Sequence, residues 1–299
     1  MGPPCARESH DSTPFYDRFR APELSQDQDV PRPYKIEEPF VCGDSRKIDT
    51  IIDGSVALVV TSLPYFAGKQ YEEELERDGI PSSYLEYLEM LTEVFAECVR
   101  KLEPGGRIAV NVANLGRKPY RSLSADVIRI LEHDLGMLLR GELIWQKGEG
   151  ASGSCAWGSF RSAANPVLRD LSERVIVASK GRFDRARTVK QRAEDGLPHE
   201  STLNTDDFMA LTLDIWNIPP ESARRVGHPA PFPVELPEKL SDLHRDNSHS
   251  RPLSDAGQWY GPPGLKQARE PLVLARDGGA PMARPWRRSP SFVVVQRGS

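Results

Sequence analysis

The run Val56-Ala57-Leu58-Val59-Val60 constrains the fold of this chain more than any other segment. It follows the turn signal Asp53-Gly54 and has no polar residue, so it reads as a strand buried on both faces rather than one face. Such a strand needs a covering layer on each side, and the next segment supplies one. Ser83 and Glu86 stand at the spacing of a capping box. Leu85, Leu88, Leu91, Phe95, Cys98, Val99 and Leu102 then recur at intervals of three and four, which predicts one buried helical stripe. Pro104-Gly105-Gly106 ends that helix, and Arg107-Ile108-Ala109-Val110-Asn111-Val112 reads as a second buried strand.

The alternation continues. A second helix is expected from Ser124 to about Leu135, and further strands at Leu143-Ile144-Trp145 and Arg174-Val175-Ile176-Val177-Ala178. Strands alternating with helices predict an α/β fold with a mainly parallel sheet. Two stretches read as loops: the Gly/Ser/Ala-rich segment 148–166, which carries Trp157 and Phe160, and the polar segment 180–198, which carries Arg182, Arg185, Arg187, Lys190 and Arg192.

Composition narrows the function classes. The 299 residues carry 39 Lys plus Arg against 43 Asp plus Glu, a formal charge of −4, which excludes a globally basic nucleic-acid coat but not a local basic groove. No apolar run approaches the roughly 20 residues of a membrane span. Arg7, Glu8, His10 and Asp11 stand where a signal peptide would be apolar. Cys5, Cys42, Cys98 and Cys155 are scattered, with no Cys-x-x-Cys pair, so neither a zinc knuckle nor a disulfide framework is expected, and a reduced, cytoplasmic protein is the simplest reading. His228 has no second ligand at metal spacing, so no metal site is expected.

The segment with chemistry in it is Thr61-Ser62-Leu63-Pro64-Tyr65-Phe66, directly after the first strand. In open α/β sheets the carboxyl ends of strands are where ligands bind, and a Ser, a Pro and an aromatic there make a polar notch with a flat wall. An ordinary strand-ending turn has the same composition.

This segment resembles the Thr-Ser-Pro-Pro-Tyr motif of the amino-methylating DNA methyltransferases, which act on cytosine N4 or adenine N6. Further segments match in family order: Cys42-Gly43-Asp44-Ser45, Tyr84-Leu85-Glu86-Tyr87-Leu88, Arg100-Lys101-Leu102-Glu103-Pro104-Gly105-Gly106-Arg107, Gly141-Glu142-Leu143-Ile144-Trp145-Gln146-Lys147, Ala156-Trp157-Gly158-Ser159, Glu173-Arg174-Val175-Ile176-Val177 and His228-Pro229-Ala230-Pro231-Phe232-Pro233. The catalytic motif comes first, which resembles the β class.

The resemblance implies a Rossmann-like, S-adenosylmethionine-dependent methyltransferase sheet acting on a base flipped from double-stranded DNA. It gives Ser62, Leu63, Pro64 and Tyr65 as catalytic, with the Ser62 side chain and the Leu63 carbonyl accepting the hydrogens of the target amine and Tyr65 stacking on the base. It gives Asp44, Thr61, His228, Pro229 and Phe232 as contacts for the cofactor, S-adenosylmethionine. Trp157, Arg182, Arg185 and Arg187 are candidates for DNA contact. Ser at position 62 leans towards cytosine N4. Leu63 departs from the usual first Pro, keeping the carbonyl while losing the stiffness of the ring. A homodimer and a restriction-endonuclease partner are compatible with the resemblance.

The resemblance divides the chain into a disordered tail (1–38), a methyltransferase catalytic region (39–240) and a last segment (241–299) that is either a disordered tail or the product of a shifted reading frame. That last segment has eight Arg but one Lys, with seven Pro and six Gly, and Val293-Val294-Val295 is its only β-like run. The family's Asp-Pro-Phe-x-Gly-x-Gly cofactor motif does not follow Leu240. The sheet is therefore expected to be incomplete on its C-terminal, cofactor side, with an apolar edge left open. A truncated, inactive fragment that binds DNA or complements another chain is the alternative. Methylation of RNA or of a protein amide is a further one.

Overall fold

A computed structural model describes residues 22–32, 44–63, 83–115, 119–148, 158–168, 170–197, 199–201, 203–221, 233–244 and 292–295. Six strands form one sheet: β1 (Val56–Ser62), β2 (Leu102–Val112), β3 (Leu138–Gln146), β4 (Ser172–Ser179), β5 (Ile215–Asn217) and β6 (Phe292–Val295). Their spatial order is β5-β3-β4-β2-β1-β6. Helix α1 (Tyr84–Lys101) joins β1 to β2. Helix α2 (Leu123–Arg129) runs into a π-helical turn over Ile130–Asp134. Short helices α3 (Val189–Glu194) and α4 (Thr205–Leu211) follow β4, and α5 is Glu235–His244.

β1, α1 and β2 form the parallel strand–helix–strand unit that the apolar runs predict. The sheet as a whole is mixed, not mainly parallel. β4 runs antiparallel to both β2 and β3, while only β1·β2 and β3·β5 are parallel. Among the described residues no crossover helix stands between β3 and β4, and without one a strand returns antiparallel.

Each face of the sheet packs one core. Val59, Ile108, Val110, Val112, Ile176 and Ala178 face α1 and α2, together with Leu91, Phe95, Leu123 and Val127. Leu58, Val60, Ala109, Val175 and Val177 face the other way, against Trp145, Trp216, Leu236 and Leu240. Thus β1 is buried on both faces, as its unbroken apolar run requires.

Ser83 caps α1, its hydroxyl accepting from the Glu86 amide at 3.2 Å. The buried stripe is rotated from the expected one. Tyr87, Leu88, Leu91, Val94, Phe95 and Cys98 are buried, whereas Leu85 is 72% exposed. Leu85 lies in the first turn, beyond the edge of the sheet-facing surface. Burial pushes the Cys98 thiol up to about 12, so it is an inert core residue.

The helix stop is itself strand. β2 begins directly at Leu102, and the register advances five positions on β2 (Leu102 to Arg107) for two on β1 (Val56 to Leu58), a bulge containing Pro104-Gly105-Gly106. Gly105 has φ +76°, and a Cβ there would lie 2.1 Å from the Asp184 carbonyl oxygen, so only glycine fits. Its amide donates to Lys180 O at 2.9 Å and Gly106 O accepts from Lys180 N at 2.9 Å.

Three expectations about loops and tails change. Residues 22–32, placed in the disordered tail, lie against the domain: Ser25 N donates to Gly181 O at 2.7 Å, and Val30 is buried with Ala186 and Leu197. The segment 180–198 is not simply a solvated loop, because it contains α3, opened by a Thr188–Gln191 capping box, and the buried Arg192. Helix α5 runs past Leu240 to His244, with Ser241 buried, so ordered structure crosses the boundary expected at residue 240. The outer edge of β1 is not open either: β6, the one β-like run of the last segment, pairs antiparallel with it from Leu58↔Val295 to Thr61↔Phe292. No helix among the described residues is long and apolar enough to cross a membrane.

Candidate active site

The notch forms where β1 and β2 end together. Parallel pairing sets Thr61 beside Val110 and Ser62 beside Asn111. Strand alternation sends neighbouring side chains to opposite faces. Thr61 therefore enters the α1 side, is fully buried, and reaches any ligand only through its backbone. Ser62 falls on the α5 side with Leu58 and Val60, and is half-buried. Leu63 is 4% exposed and packs into the α1-side core. Its buried side chain anchors the backbone leaving β1, so packing does here what a proline ring would do at that position. Pro64 and Tyr65 lie outside the described residues, as do His228, Pro229, Phe232 and Trp157.

A row of polar side chains extends from Ser62 across the α5-side face at the strand ends. Asn111 is 3% exposed, and its Nδ2 donates to Glu173 Oε2 at 2.5 Å. Glu173 Oε1 accepts from Lys147 Nζ at 2.5 Å. Lys147 also sits 5.0 Å from the ring centre of Trp145, whose Nε1 donates to Ile218 O at 2.8 Å. The row therefore alternates donor and acceptor from β3 through β4 to β2, beside Ser62 on β1. Asn111, Glu173 and Lys147 are absent from the site expected from the sequence. The signal was Asn111, a polar residue that interrupts the apolar run Ile108–Val112 one position from its end.

Asn114 stands two positions past the end of β2. Its Oδ1 accepts from Ser124 N at 2.9 Å at the start of α2, and its Nδ2 donates to Tyr120 Oη at 2.7 Å. Nearby, Tyr84 Oη donates to Asp126 Oδ2 at 2.6 Å, and Arg121 holds the same carboxylate through Nε at 2.8 Å. Burial, and then the Asp126 carboxylate, push the Tyr84 phenol up to about 12, so it stays protonated and acts as a donor. This cluster ties the start of α1 to α2.

The remaining described candidates have partners of their own. Asp44 forms a tight turn in which both carboxylate oxygens bind Arg46, at 3.0 and 2.7 Å, and Arg46 reaches Glu93 of α1 at 3.3 Å. The Asp44 carboxylate holds the Arg46 guanidinium above its ordinary pKa. Arg185 binds the fully buried Glu103 through Nε at 2.6 Å, and Arg192 stands 3.5 Å from the same carboxylate. Arg182 donates to Asp27 O at 3.2 Å and Arg187 to Gln28 O at 3.3 Å, and these contacts strap the N-terminal segment to the domain. Glu103 lies at the start of β2, next to Val56, six residues of β1 away from Ser62. At about 3.3 Å per residue that is roughly 20 Å, at the opposite end of the sheet. The three arginines expected at DNA are thus engaged in holding the fold.

The described residues fit the methyl-acceptor half of an amino-methyltransferase site: a hydroxyl and an anchored carbonyl at one strand end, backed by a buried, ordered polar row. For the cofactor half, Asp44 offers a carboxylate whose side chain is 34% exposed and whose partner, Arg46, is also accessible. That suits hydrogen-bond donors such as a ribose or an amino group.

Comparison with known proteins agrees with this geometry. The Type II methyltransferase M.MjaVI of Methanocaldococcus jannaschii is 28% identical over 173 residues, covering 58% of this chain and 81% of that protein. The Type II methyltransferase M.MjaI of the same organism is 26% identical over 234 residues, 67% of this chain and 74% of that one. The crystal structure of a Thermus thermophilus protein assigned as a DNA modification methylase superposes with a TM-score of 0.50 at 25% identity, covering 69% of this chain and 75% of that one. A model of the N6/N4 DNA methylase family matches residues 56–246, which span β1, the polar row and α5. On that match, which spans more than half of its residues, the chain belongs to the N6/N4 DNA methylases.

Proposed function

We propose that this chain is a site-specific DNA methyltransferase that transfers a methyl group from S-adenosylmethionine to the exocyclic amine of a base in double-stranded DNA, cytosine N4 in preference to adenine N6. One observation carries the reading: Ser62 and the buried, anchored Leu63 stand together at the end of β1, opposite Asn111. An exocyclic amine is a poor nucleophile because its lone pair is delocalised into the ring. Two fixed acceptors, Ser62 Oγ and Leu63 O, take its two hydrogens and favour a pyramidal nitrogen with a free lone pair. The cofactor, when bound, supplies a methyl on a cationic sulfur, the carbon–sulfur pair staying on sulfur as the nitrogen–carbon bond forms. The methylated nitrogen then sheds a proton, the one that Ser62 Oγ holds, to solvent. Tyr65 stacks on the flipped base, and Asp44 binds the nucleoside part of the cofactor. Catalysis by these residues is positioning, and no covalent cysteine takes part.

The type II label of both Methanocaldococcus relatives supports a restriction endonuclease as the functional counterpart. The reading is tested by incubating the protein with plasmid DNA and methyl-labelled cofactor, then resolving the nucleosides. N4-methylcytosine is the expected product. N6-methyladenine instead would refute the base preference. Tyr65→Ala is expected to lower transfer by orders of magnitude, and a near-normal rate would remove Tyr65 from the site.

A second reading has one observation in its favour. The outer edge of β1 is closed by the antiparallel β6 rather than by a glycine-rich cofactor strand. On that reading the chain is a complementing half that acquires activity from a second polypeptide. Titration calorimetry with S-adenosylmethionine separates the two: micromolar binding by this chain alone supports the enzyme, and no binding supports the half.

A further inference from the structure

We propose that Asn111 is a positioning residue that fixes the Ser62 hydroxyl as a hydrogen-bond acceptor; the inference rests on the reading of Ser62 given above. A hydroxyl is donor and acceptor at once. For Ser62 Oγ to present a lone pair to the target amine at every turnover, its own proton must be held by a fixed acceptor elsewhere. Asn111 provides that acceptor. It is the register partner of Ser62 on the neighbouring strand, on the same face of the sheet. Its Oδ1 is buried and accepts no hydrogen bond from any described residue, while its Nδ2 is committed to Glu173. A buried acceptor without a donor is costly, so this oxygen needs a reason to be there.

The orientation of the amide is set from outside. Glu173 can only accept when ionised, so it selects the Asn111 nitrogen and turns the oxygen away from β4. Lys147 donates to the other oxygen of Glu173 at 2.5 Å, so both carboxylate oxygens are engaged as acceptors. Adjacent strands are about 4.8 Å apart, a gap that a serine hydroxyl and an asparagine oxygen bridge with one hydrogen bond. The polarity then runs without conflict: Lys147 and Asn111 donate to Glu173, Ser62 donates to Asn111, and Ser62 Oγ faces the substrate as acceptor only.

The test is a double-mutant cycle on the full chain with Ser62→Ala, Asn111→Ala and the pair, read by urea unfolding and by methyl transfer to DNA. The expected unfolding coupling is about fivefold in the equilibrium constant, the size of one net hydrogen bond. In transfer, Asn111→Ala is expected to lower kcat about tenfold with KM for DNA unchanged, and to change it less than about twofold in the Ser62→Ala background. Unfolding coupling below about twofold in this cycle overturns the proposal, and that readout needs no activity. A Ser62→Ala variant that transfers methyl at the unmodified rate sinks the functional reading instead, whatever the unfolding cycle gives.

Discussion

Gly105 shows how much one residue can decide here. The carbonyl oxygen of Asp184 occupies the place of its missing Cβ, and its φ is one that other residues adopt only under strain. Gly105→Ala must push the 180–185 segment off β2 and break the paired bonds to Lys180. It is expected to destabilise the fold by more than about 2 kcal/mol, as measured by urea unfolding, the strain and the lost backbone bonds acting together. Gly196 also has positive φ but nothing within 4 Å of a Cβ, so Gly196→Ala is expected to cost about 1 kcal/mol. The pair separates backbone strain from steric collision. Leu63 makes the complementary point. Leu63→Ala removes the anchor of the carbonyl while keeping the carbonyl itself, so it is expected to lower kcat for methyl transfer as well as stability.

At the scale of elements, β6 decides the fate of the outer edge of β1. An unpaired edge strand of Val and Leu is a template for association with other chains. β6 covers that edge through backbone pairing from Thr61↔Phe292 to Leu58↔Val295. Val294→Pro removes one amide from this ladder and bends the strand. It is expected to speed hydrogen exchange of the outward-facing amides in β1 by at least about tenfold and to raise self-association in light scattering. Unchanged exchange would mean that this edge is covered in another way. α1 illustrates the limits of periodicity. Its existence and N-cap follow from Ser83, Glu86 and the three-four spacing, yet Leu85 is exposed, because spacing gives a stripe but not where the sheet beneath it ends.

At the scale of the whole molecule, stability should depend on pH through His244. Burial first, and then the Arg107 and Arg140 guanidiniums, hold this imidazole at about 3, far below its ordinary value. The folded protein thus binds fewer protons than the unfolded chain from about pH 6.5 downwards, and stability falls as pH falls through that window. Between pH 7.5 and 5.5 the expected loss is about 1.4 kcal/mol, and His244→Gln is expected to flatten it. Below that range Asp53, held low by Lys101 and Arg100, and Glu97, held low by Arg100 and the Ile48 amide against its burial, add to the loss as they protonate. Unfolding midpoints across pH for the two proteins check the assignment.

The strand–helix–strand unit, the polar turn after β1 and the resemblance carried by Thr61-Ser62-Leu63-Pro64-Tyr65 were legible in the linear chain, because each is written in neighbouring residues. Alternation, helical spacing and turn chemistry act over a few positions. Three things were not legible. The direction of β4 depends on how the chain returns after β3, not on the composition of either strand. Arg185 and Arg192 read as part of a phosphate-facing run in the linear chain, but both are paired with Glu103, about eighty residues earlier. The row Lys147–Glu173–Asn111 joins residues from three strands that become neighbours only when the sheet forms. The family and the first strand–helix–strand unit follow from the linear chain alone. The partners of Arg185 and Arg192, and the placing of Asn111 beside Ser62, came only with the tertiary structure, since pairing over long separations is set by the register of the assembled sheet rather than by any local preference.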